Sequence, residues 1–245
     1  METSIFEGAA YGVDINGRIE GLAIIQPVGN LAWLMGARVR RDVRGKGVGK
    51  FLTKNLLEEA RRRGFRGAAL ITSRNNTPVH RISESLGMKR LLSIKISSLR
   101  PLPVFIGCRE IKKLSHDLRE YNEILSRYLL LPATPDGFVW GYADYVLRNS
   151  IDEVYVYRSC ISDLHMLIRV GCSYDLHNKC RTSIGAVVDK KRDSGTLEML
   201  LCISELIYEE GFSRAIVIYE DSDSDDPLNN LFEWSWRAYL YYIDL

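Results

Sequence analysis

The sequence has little excess charge, few cysteines and no long hydrophobic run. Its 33 lysine and arginine residues face 31 aspartate and glutamate residues, so a net charge of +2 gives no general affinity for nucleic acid. Five cysteines, none before Cys108, argue against a disulfide framework and fit a reducing, cytoplasmic compartment. Apolar runs such as residues 129–131 are too short to span a membrane, and no signal peptide is recognisable at residues 1–3.

What is present is the composition of an ordinary globular protein. Hydrophobic residues make up 46% and charged residues 26% of the 245 positions, which excludes disordered, collagen-like and coiled-coil chains. The length allows either one large α/β domain or two domains of usual size. Periodicity predicts a hairpin around residues 16–17, a strand at 31–39, a helix at 48–63, a strand at 68–72, a helix at 77–86 and a strand at 91–96.

A proline-containing stretch at residues 97–103 divides the chain into two predicted domains, 1–99 and 100–245. The second domain repeats parts of the first, which predicts an internal duplication. It also has an insertion with helices predicted at 111–130 and 141–148. The matching segments are 64–65 with 211–212 and 68 with 215, at an offset of 147, and 36–37 with 185–186, at an offset of 149.

A glycine-rich, cationic segment lies between the third strand and the first helix. Gly47 and Gly49 lack Cβ atoms and allow close approach of a ligand to the backbone, and a helix N-terminus adds positive potential. A polyphosphate ligand is therefore predicted. The cations around the segment are Arg40, Arg41, Arg44, Lys46 and Lys50.

Two common phosphate-binding motifs do not fit this segment. A P-loop has a glycine five residues before Gly49 and a hydroxyl side chain at position 51, where this chain has Arg44 and Phe51. The dinucleotide fingerprint requires another glycine spacing and a parallel sheet, whereas here an antiparallel hairpin precedes the loop.

The segment resembles the pyrophosphate loop of the GNAT superfamily of acyl-CoA-dependent N-acyltransferases, Arg/Gln-x-x-Gly-x-Gly/Ala. Arg44, Gly47 and Gly49 fill that pattern, and Val39 stands at the end of the preceding strand. Asn76 precedes a Gly-Met pair by the interval at which the family has an asparagine before Gly-Phe. The resemblance covers residues 11–96.

This resemblance implies an α/β (α+β, GNAT-like) fold, here as two tandem domains with mixed, mostly antiparallel sheets. It implies transfer of acetyl from acetyl-CoA, the only cofactor expected, to a primary amine by direct attack. Pantetheine would enter between two splayed strands, and no metal is expected. The cofactor-binding residues implied are Val39, Arg44, Gly45, Lys46, Gly47, Val48, Gly49, Lys50 and Asn76.

The catalytic residues of the family are missing. Ser83 occupies the position of the tyrosine that serves as general acid, and the strand at 31–39 has no carboxylate to act as base. His80 lies one turn before Ser83 on the same helix face, and histidine has a reference pKa of about 6.5. His80 and Ser83 are therefore the candidate catalytic residues, with a solvated surface histidine as the alternative; a water chain or a group from the second domain could supply the base.

Residues 1–10 are too few to form the strand and two helices that open the family's fold, so either Met1 is not the natural start or the second domain supplies the missing wall. We expect the second domain to complete the acceptor site, and either that domain or another chain, in a homodimer, to cover the hairpin edge. The acceptor would be a small-molecule or protein amine, with no nucleic acid or membrane partner.

The second domain has a degenerate loop. Arg192 and Gly195 align with the loop, but Leu197 replaces its second glycine and Asp189 adds negative charge, so we expect no CoA there. A zinc site among its histidines and cysteines is disfavoured by strand alternation. The competing hypothesis for the whole chain is a catalytically inactive acyl-CoA-binding sensor or interaction module.

Overall fold

The computed structural model describes residues 9–28, 31–103, 109–113, 154–159, 165–174, 180–188, 194–209, 211, 214–221, 230 and 232–245. The chain divides into two compact units. The first comprises Met1–Leu92 together with Ala238–Leu245, and the second comprises Ser93–Arg237. The last residues of the sequence thus belong to the first unit. The predicted domain boundary at residue 99 stays a prediction.

The first unit contains the elements predicted from periodicity. The hairpin turns at Asn16 and Gly17, both with positive φ, and Asp14 accepts a hydrogen bond from the Gly17 N–H at 2.8 Å. The bounds are β1 Ala9–Ile15, β2 Arg18–Val28, β3 Leu31–Val39, a 3₁₀ turn Arg41–Val43, α1 Val48–Arg62, β4 Gly67–Ser73, α2 Thr77–Ser85 and the start of β5 Lys89–Leu99.

The second unit holds the rest of β5 and the strands and helix that follow it. Their bounds are β6 Arg109–Lys113, β7 Val154–Ser159, β8 His165–Tyr174, β9 Cys180–Val188, α3 Ser194–Glu209, β10 Arg214–Glu220 and β11 Phe232–Asp244, which ends in the first unit.

The helix predicted at 111–130 is wrong at its start. Residues 109–113 form β6, which pairs antiparallel with β7, and this pairing overrides the helix propensity of the Glu and Lys residues in the segment. The remainder of that prediction, the helix predicted at 141–148, and the loop residues Asp189 and Arg192 lie outside the described residues.

The element bounds follow the offsets found in the sequence. Strand β9 has the bounds of β3 shifted by 149, and β10 has those of β4 shifted by 147. In both units a strand, a helix and a parallel strand follow one another, as β3, α1 and β4 and as β9, α3 and β10.

The sheet of the first unit is mixed and mostly antiparallel, which confirms the predicted fold class. Its order is β1-β2-β3-β4-β11, and only the pair β3–β4 is parallel. The apolar stripe of α1 packs on this sheet, because its buried residues recur at helical spacing. The core includes Ala23, Ile25, Leu34, Val48, Leu52, Leu56, Ala60, Leu70, Met88 and Tyr241.

The place beside β4 is taken by a strand from the far end of the sequence. Ala238 to Asp244 of β11 pair with Ser73 to Gly67 of β4. The last strand of the first domain is expected at residues 91–96. Strand β5 covers them, and its residues 94–99 pair with β10 within the second unit. The sequence pattern identifies both strands but not their neighbours.

Candidate functional site

Strands β3 and β4 separate halfway along their length. Their parallel pairing consists of Leu31–Gly67, Ala32–Ala68 and Trp33–Ala69, and it ends there although both strands continue. Residues 34–39 of β3 and 70–73 of β4 therefore have facing backbone edges that do not pair with each other. This is the arrangement that the resemblance implies for a pantetheine site.

The separated part of β3 contains a β-bulge. Gly36 and Ala37 together oppose Ala23 of β2, and Gly36 has φ +65°. A bulge removes backbone groups from the regular hydrogen-bonding pattern between strands and changes their direction. Hydrogen-bond donors therefore become available where β3 and β4 part. Sequence reasoning missed this feature; a glycine within a strand pattern was the signal that could have found it.

The loop after β3 presents backbone N–H groups at a helix start. Gly47 is the N-cap of α1 and has no side-chain cap, and the first helical hydrogen bond runs from Phe51 N to Gly47 O at 2.9 Å. The N–H groups of Val48, Gly49 and Lys50 consequently lack acceptors within the helix. Such a helix start binds anions.

The glycines of this loop serve two different purposes. Gly45 and Gly47 have φ of +78° and +86°, and a Cβ on either would meet nothing within 4 Å, so the backbone conformation requires them. Gly49 lies in a tightly packed place, because its Cβ would lie 3.3 Å from Cδ1 of Ile82 and 3.7 Å from Cγ2 of Val39. The end of β3, the start of α1 and helix α2 thus meet at Gly49.

One of the predicted phosphate-binding cations is already paired. Arg40 Nε lies 3.1 Å from Oε2 of the buried Glu20, and its guanidinium binds both carboxylate oxygens of Asp42, at 3.1 and 2.8 Å. The hydrogen bond from Arg40 lowers the pKa of Asp42 below its usual value. The backbone N–H of Arg40 also donates to the Glu20 carbonyl at 2.9 Å. Glu20, which sequence reasoning missed, therefore anchors the beginning of the loop.

The cations left facing solvent around the loop are Arg41, Arg44, Lys46 and Lys50, all exposed. Arg44 Nε donates to the carbonyl of Val39 at 3.1 Å, which links the loop to the last residue of β3. The positive charge predicted from the sequence is thus provided at the helix start by four side chains rather than five.

Asn76 is held at the separated end of β4. It is the N-cap of α2, and its side-chain Nδ2 donates to Thr72 Oγ1 at 2.9 Å. Its carbonyl accepts hydrogen bonds from the backbone N–H groups of Val79 and His80. The half-buried amide therefore lies next to the part of β4 that does not pair with β3. Its predicted contact with pantetheine stays a prediction.

The candidate catalytic residues lie on the inner side of α2. His80 is half-buried, so the alternative of a solvated surface histidine is wrong. Its Nε2 lies 3.0 Å from the carbonyl oxygen of Arg74, and since a carbonyl can only accept, Nε2 carries the proton. Nδ1 then has the lone pair, and it is buried without a hydrogen-bond partner among the described residues.

Ser83 is fully buried, and its hydroxyl also has no partner within the described part of the chain. Buried hydroxyl groups are normally hydrogen-bonded. The structure thus brings two unsatisfied polar atoms, His80 Nδ1 and Ser83 Oγ, to one face of the same helix, one turn apart. Their catalytic roles are not tested by these contacts and stay predictions.

Two tyrosines of β11 border His80. The ring centroids of Tyr239 and Tyr241 lie 5.3 and 5.7 Å from that of the imidazole. Tyr241 OH donates to Glu84 Oε1 at 3.0 Å, and burial, followed by this hydrogen bond, raises the pKa of Tyr241 to about 12. The sequence shows an aromatic-rich last strand, but nothing in it indicates contact with α2.

This arrangement of loop, parting strands and helix agrees with a match to a family model. Residues 3–88 match the acetyltransferase (GNAT) family. The match covers about a third of the chain and supports acyl transfer as the general reaction of this part.

One solved structure shows a similar fold at low sequence identity. A GCN5-related N-acetyltransferase from Sphaerobacter thermophilus is 15% identical, with a TM-score of 0.53 over 94% of this chain and 78% of that one. A tandem GNAT protein from the clavulanic acid biosynthesis pathway is also 15% identical, with a TM-score of 0.48 over 97% and 83%. No curated protein sequence matches the chain significantly.

A third neighbour matches a smaller part of the chain. The PaiA N-acetyltransferase from Thermoplasma acidophilum, solved in complex with coenzyme A, is 18% identical, with a TM-score of 0.33 over 34% of this chain and 53% of that one.

Within the described ranges, no helix is long and apolar enough to cross a membrane. No group of three or more potential metal ligands occurs in that same part of the chain. The side chains of β8, which carries His165 and Cys172, are not among those described, so the zinc alternative is not tested there.

Proposed function

We propose that the first unit binds acetyl-CoA and transfers its acetyl group to a primary amine. The observation that carries this proposal is the parting of β3 and β4 directly before the uncapped N-terminus of α1. An extended, amide-containing chain ending in a pyrophosphate fits this combination, because it can pair with strand edges at one end and occupy an anion site at the other.

The residues present fit the phosphate end of acetyl-CoA. The N–H groups from Gly45 to Lys50 would hold the pyrophosphate, with Arg41, Arg44 and Lys46 neutralising its charge. Glu20 and Asp42 keep Arg40 out of this role and hold the loop in place. No metal ion is needed for the pyrophosphate to bind at this position.

The pantetheine arm would lie between residues 34–39 and 70–73, where its amides can pair with Val39 and with the side chain of Asn76. The bulge at Gly36 would direct backbone N–H groups toward the thioester carbonyl. Donors fixed in this way stabilise negative charge that develops on a carbonyl oxygen during attack. Bound acetyl-CoA supplies the activated acetyl group.

His80 and Ser83 would carry out proton transfer. The lone pair on Nδ1 can accept a proton from the attacking amine, either directly or through water. The buried Ser83 hydroxyl can donate a hydrogen bond to the departing sulfur, and this partly replaces the missing tyrosine. The Nε2 bond to Arg74 fixes the tautomer that leaves Nδ1 free to act as a base.

The acceptor is an amine, either a small molecule or a protein amino group. The contribution of the second domain to the acceptor site, the cytoplasmic location and homodimer formation stay predictions from the sequence. An acyl-CoA-binding module without catalysis remains the second candidate, because Ser83 and strand β3 lack the family's acid and base.

Thiol release from acetyl-CoA with a panel of small amines and peptides, followed next to a binding titration, tests the proposal. We expect saturable binding of acetyl-CoA and amine-dependent release of thiol for at least one acceptor. Binding without release on any amine would favour the module. Absence of acetyl-CoA binding would contradict both functions.

A further inference from the structure

The C-terminal strand brings aromatic side chains to helix α2 of the first unit. Tyr239 pairs with Thr72 and Tyr241 with Leu70, so both rings stand on the same face of the sheet as α2. Tyr241 and Glu84, which share a hydrogen bond, are 157 positions apart in the sequence. The final residues of the chain thus form part of the surroundings of His80.

The two rings confine the imidazole in a way that its single hydrogen bond cannot. The bond from Nε2 to the Arg74 carbonyl fixes one atom, and the ring can still pivot about it. Tyr239 lies at 5.3 Å with an interplanar angle of 60°, and Tyr241 lies at 5.7 Å with an angle of 31°. Rings in two different orientations restrict that pivot and so fix the direction of the Nδ1 lone pair.

Both tyrosines are themselves held in position. Tyr241 is fully buried and bound to Glu84, which lies one turn after His80 on α2. The guanidinium carbon of Arg90 lies 4.5 Å from the centre of the Tyr239 ring, and that of Arg74 lies at 5.9 Å. Such cation–π contacts orient an aromatic ring that is only half-buried.

We propose that Tyr239 and Tyr241 are positioning residues that hold His80 for proton transfer, so that the end of the chain completes the acetyl-transfer site of the first unit. This inference rests on the proposed function, in which His80 moves the proton. Tyr241 acts through its ring rather than its hydroxyl group, because Tyr241 OH is already engaged with Glu84.

Substitutions at Tyr239, which is half-buried and more tolerant of change than Tyr241, test the inference. Tyr239→Leu should lower kcat by about 10- to 100-fold, because a misdirected base transfers protons poorly. KM for acetyl-CoA should not change. Tyr239→Phe and Tyr241→Phe keep the rings and should stay within about threefold of the unchanged protein.

A double substitution separates positioning from a merely structural role. In a His80→Gln background, Tyr239→Leu should lower kcat by less than about twofold, since the group through which it acts is gone. A full additional loss there, or loss of kcat in the Phe variants, would overturn the inference. If His80→Gln lowers kcat while Tyr239→Leu does not, the inference fails and the proposed function stands. If His80→Gln has no effect, both the inference and the proton-transfer role fail.

The orientation of His80 can also be measured without an acceptor. The chain has only four histidines, so the ring nitrogens of His80 can be assigned by nitrogen-15 NMR through the His80→Gln variant. We expect a single tautomer with the proton on Nε2 in the unchanged protein and a mixture in Tyr239→Leu. The same spectrum in both proteins would contradict the inference, whatever the acceptor is.

Discussion

Each unit has a pair of parallel strands, and the two pairs differ in how far their hydrogen-bonded pairing extends. In the first, pairing of β3 with β4 stops at Trp33 and Ala69, before the ends of both strands. In the second, β9 pairs with β10 from Ser183 to Val187, almost to the end of β9. A continuous ladder leaves no free strand edges for a ligand to pair with. The parting of the strands, and not the fold itself, is therefore what distinguishes the first unit.

The strand that pairs with the second parallel strand of each unit differs as well: it is β11 beside β4 and β5 beside β10. In the first unit, Tyr239 and Tyr241 pair with Thr72 and Leu70 of β4. At the corresponding positions of β10, the second unit has Lys95 and Ser97 of β5. Both are buried, and Lys95 Nζ lies 5.4 Å from the ring of Phe232. At these two positions the second unit thus has buried polar side chains where the first has aromatic rings, and a histidine could not be held there in the same way.

The largest effect is expected at the loop. Gly49→Glu places a carboxylate at the start of α1, next to Ile82 and Val39, and should weaken acetyl-CoA binding by about 100-fold, or about 3 kcal/mol. Asn55→Glu, which adds the same charge at an exposed position of α1, should leave binding nearly unchanged. Titration calorimetry measures both, with circular dichroism as the check on folding.

The same titration tests the asymmetry between the units. We expect one acetyl-CoA per chain, and Leu197→Glu at the matching position of α3 should change neither stoichiometry nor affinity. A second bound molecule that disappears in Leu197→Glu would contradict the prediction that only the first unit has a site.

A catalytic effect of similar size is expected at His80. His80→Gln should lower kcat by about 100-fold, because general base catalysis is lost, with KM for acetyl-CoA unchanged. His165→Gln in β8 of the second unit serves as the matched control and should not alter kcat. Equal losses in both variants would mean that the second unit contributes to the chemistry.

A smaller effect, on the free energy of unfolding, is expected when the backbone conformation of the loop is strained by substitution. Gly47→Ala forces a side chain into a conformation with φ +86° and should lower the free energy of unfolding by about 1–2 kcal/mol. Gly195→Ala, in the helical conformation of α3, should not lower it. Urea denaturation measures the difference, and equal values for the two variants would show that the two helix starts are built alike.

The smallest effect concerns Tyr241, whose pKa of about 12 exceeds the ordinary value of about 10. A raised pKa means that the neutral phenol stabilises the folded state fully below pH 10 and loses that contribution as the pH rises toward 12. The unchanged protein should exceed Tyr241→Phe in free energy of unfolding by about 1 kcal/mol at pH 8. The difference should shrink as the pH rises from 10 toward 12, and a constant difference would argue against the bond to Glu84.

Much of the first unit is predictable from local patterns. The hairpin follows from Asn16-Gly17, and α1 follows from the spacing of its apolar residues and from Gly64, which has φ +79°. The phosphate loop is predictable because its glycines and cations are consecutive in the sequence. The engagement of Arg40 by Glu20 was not predictable, since it depends on β2 lying next to the end of β3.

The sequence by itself predicted the strands and helices of the first unit, an anion-binding loop and His80 as a candidate catalytic residue, because each depends on residues within one or two turns of chain. Only the tertiary structure decided that β3 parts from β4, that β11 takes the place beside β4, and that Tyr239 and Tyr241 border His80. These features depend on which strands become neighbours. That choice is set by burial and backbone pairing between segments far apart in the sequence, where local periodicity carries no information.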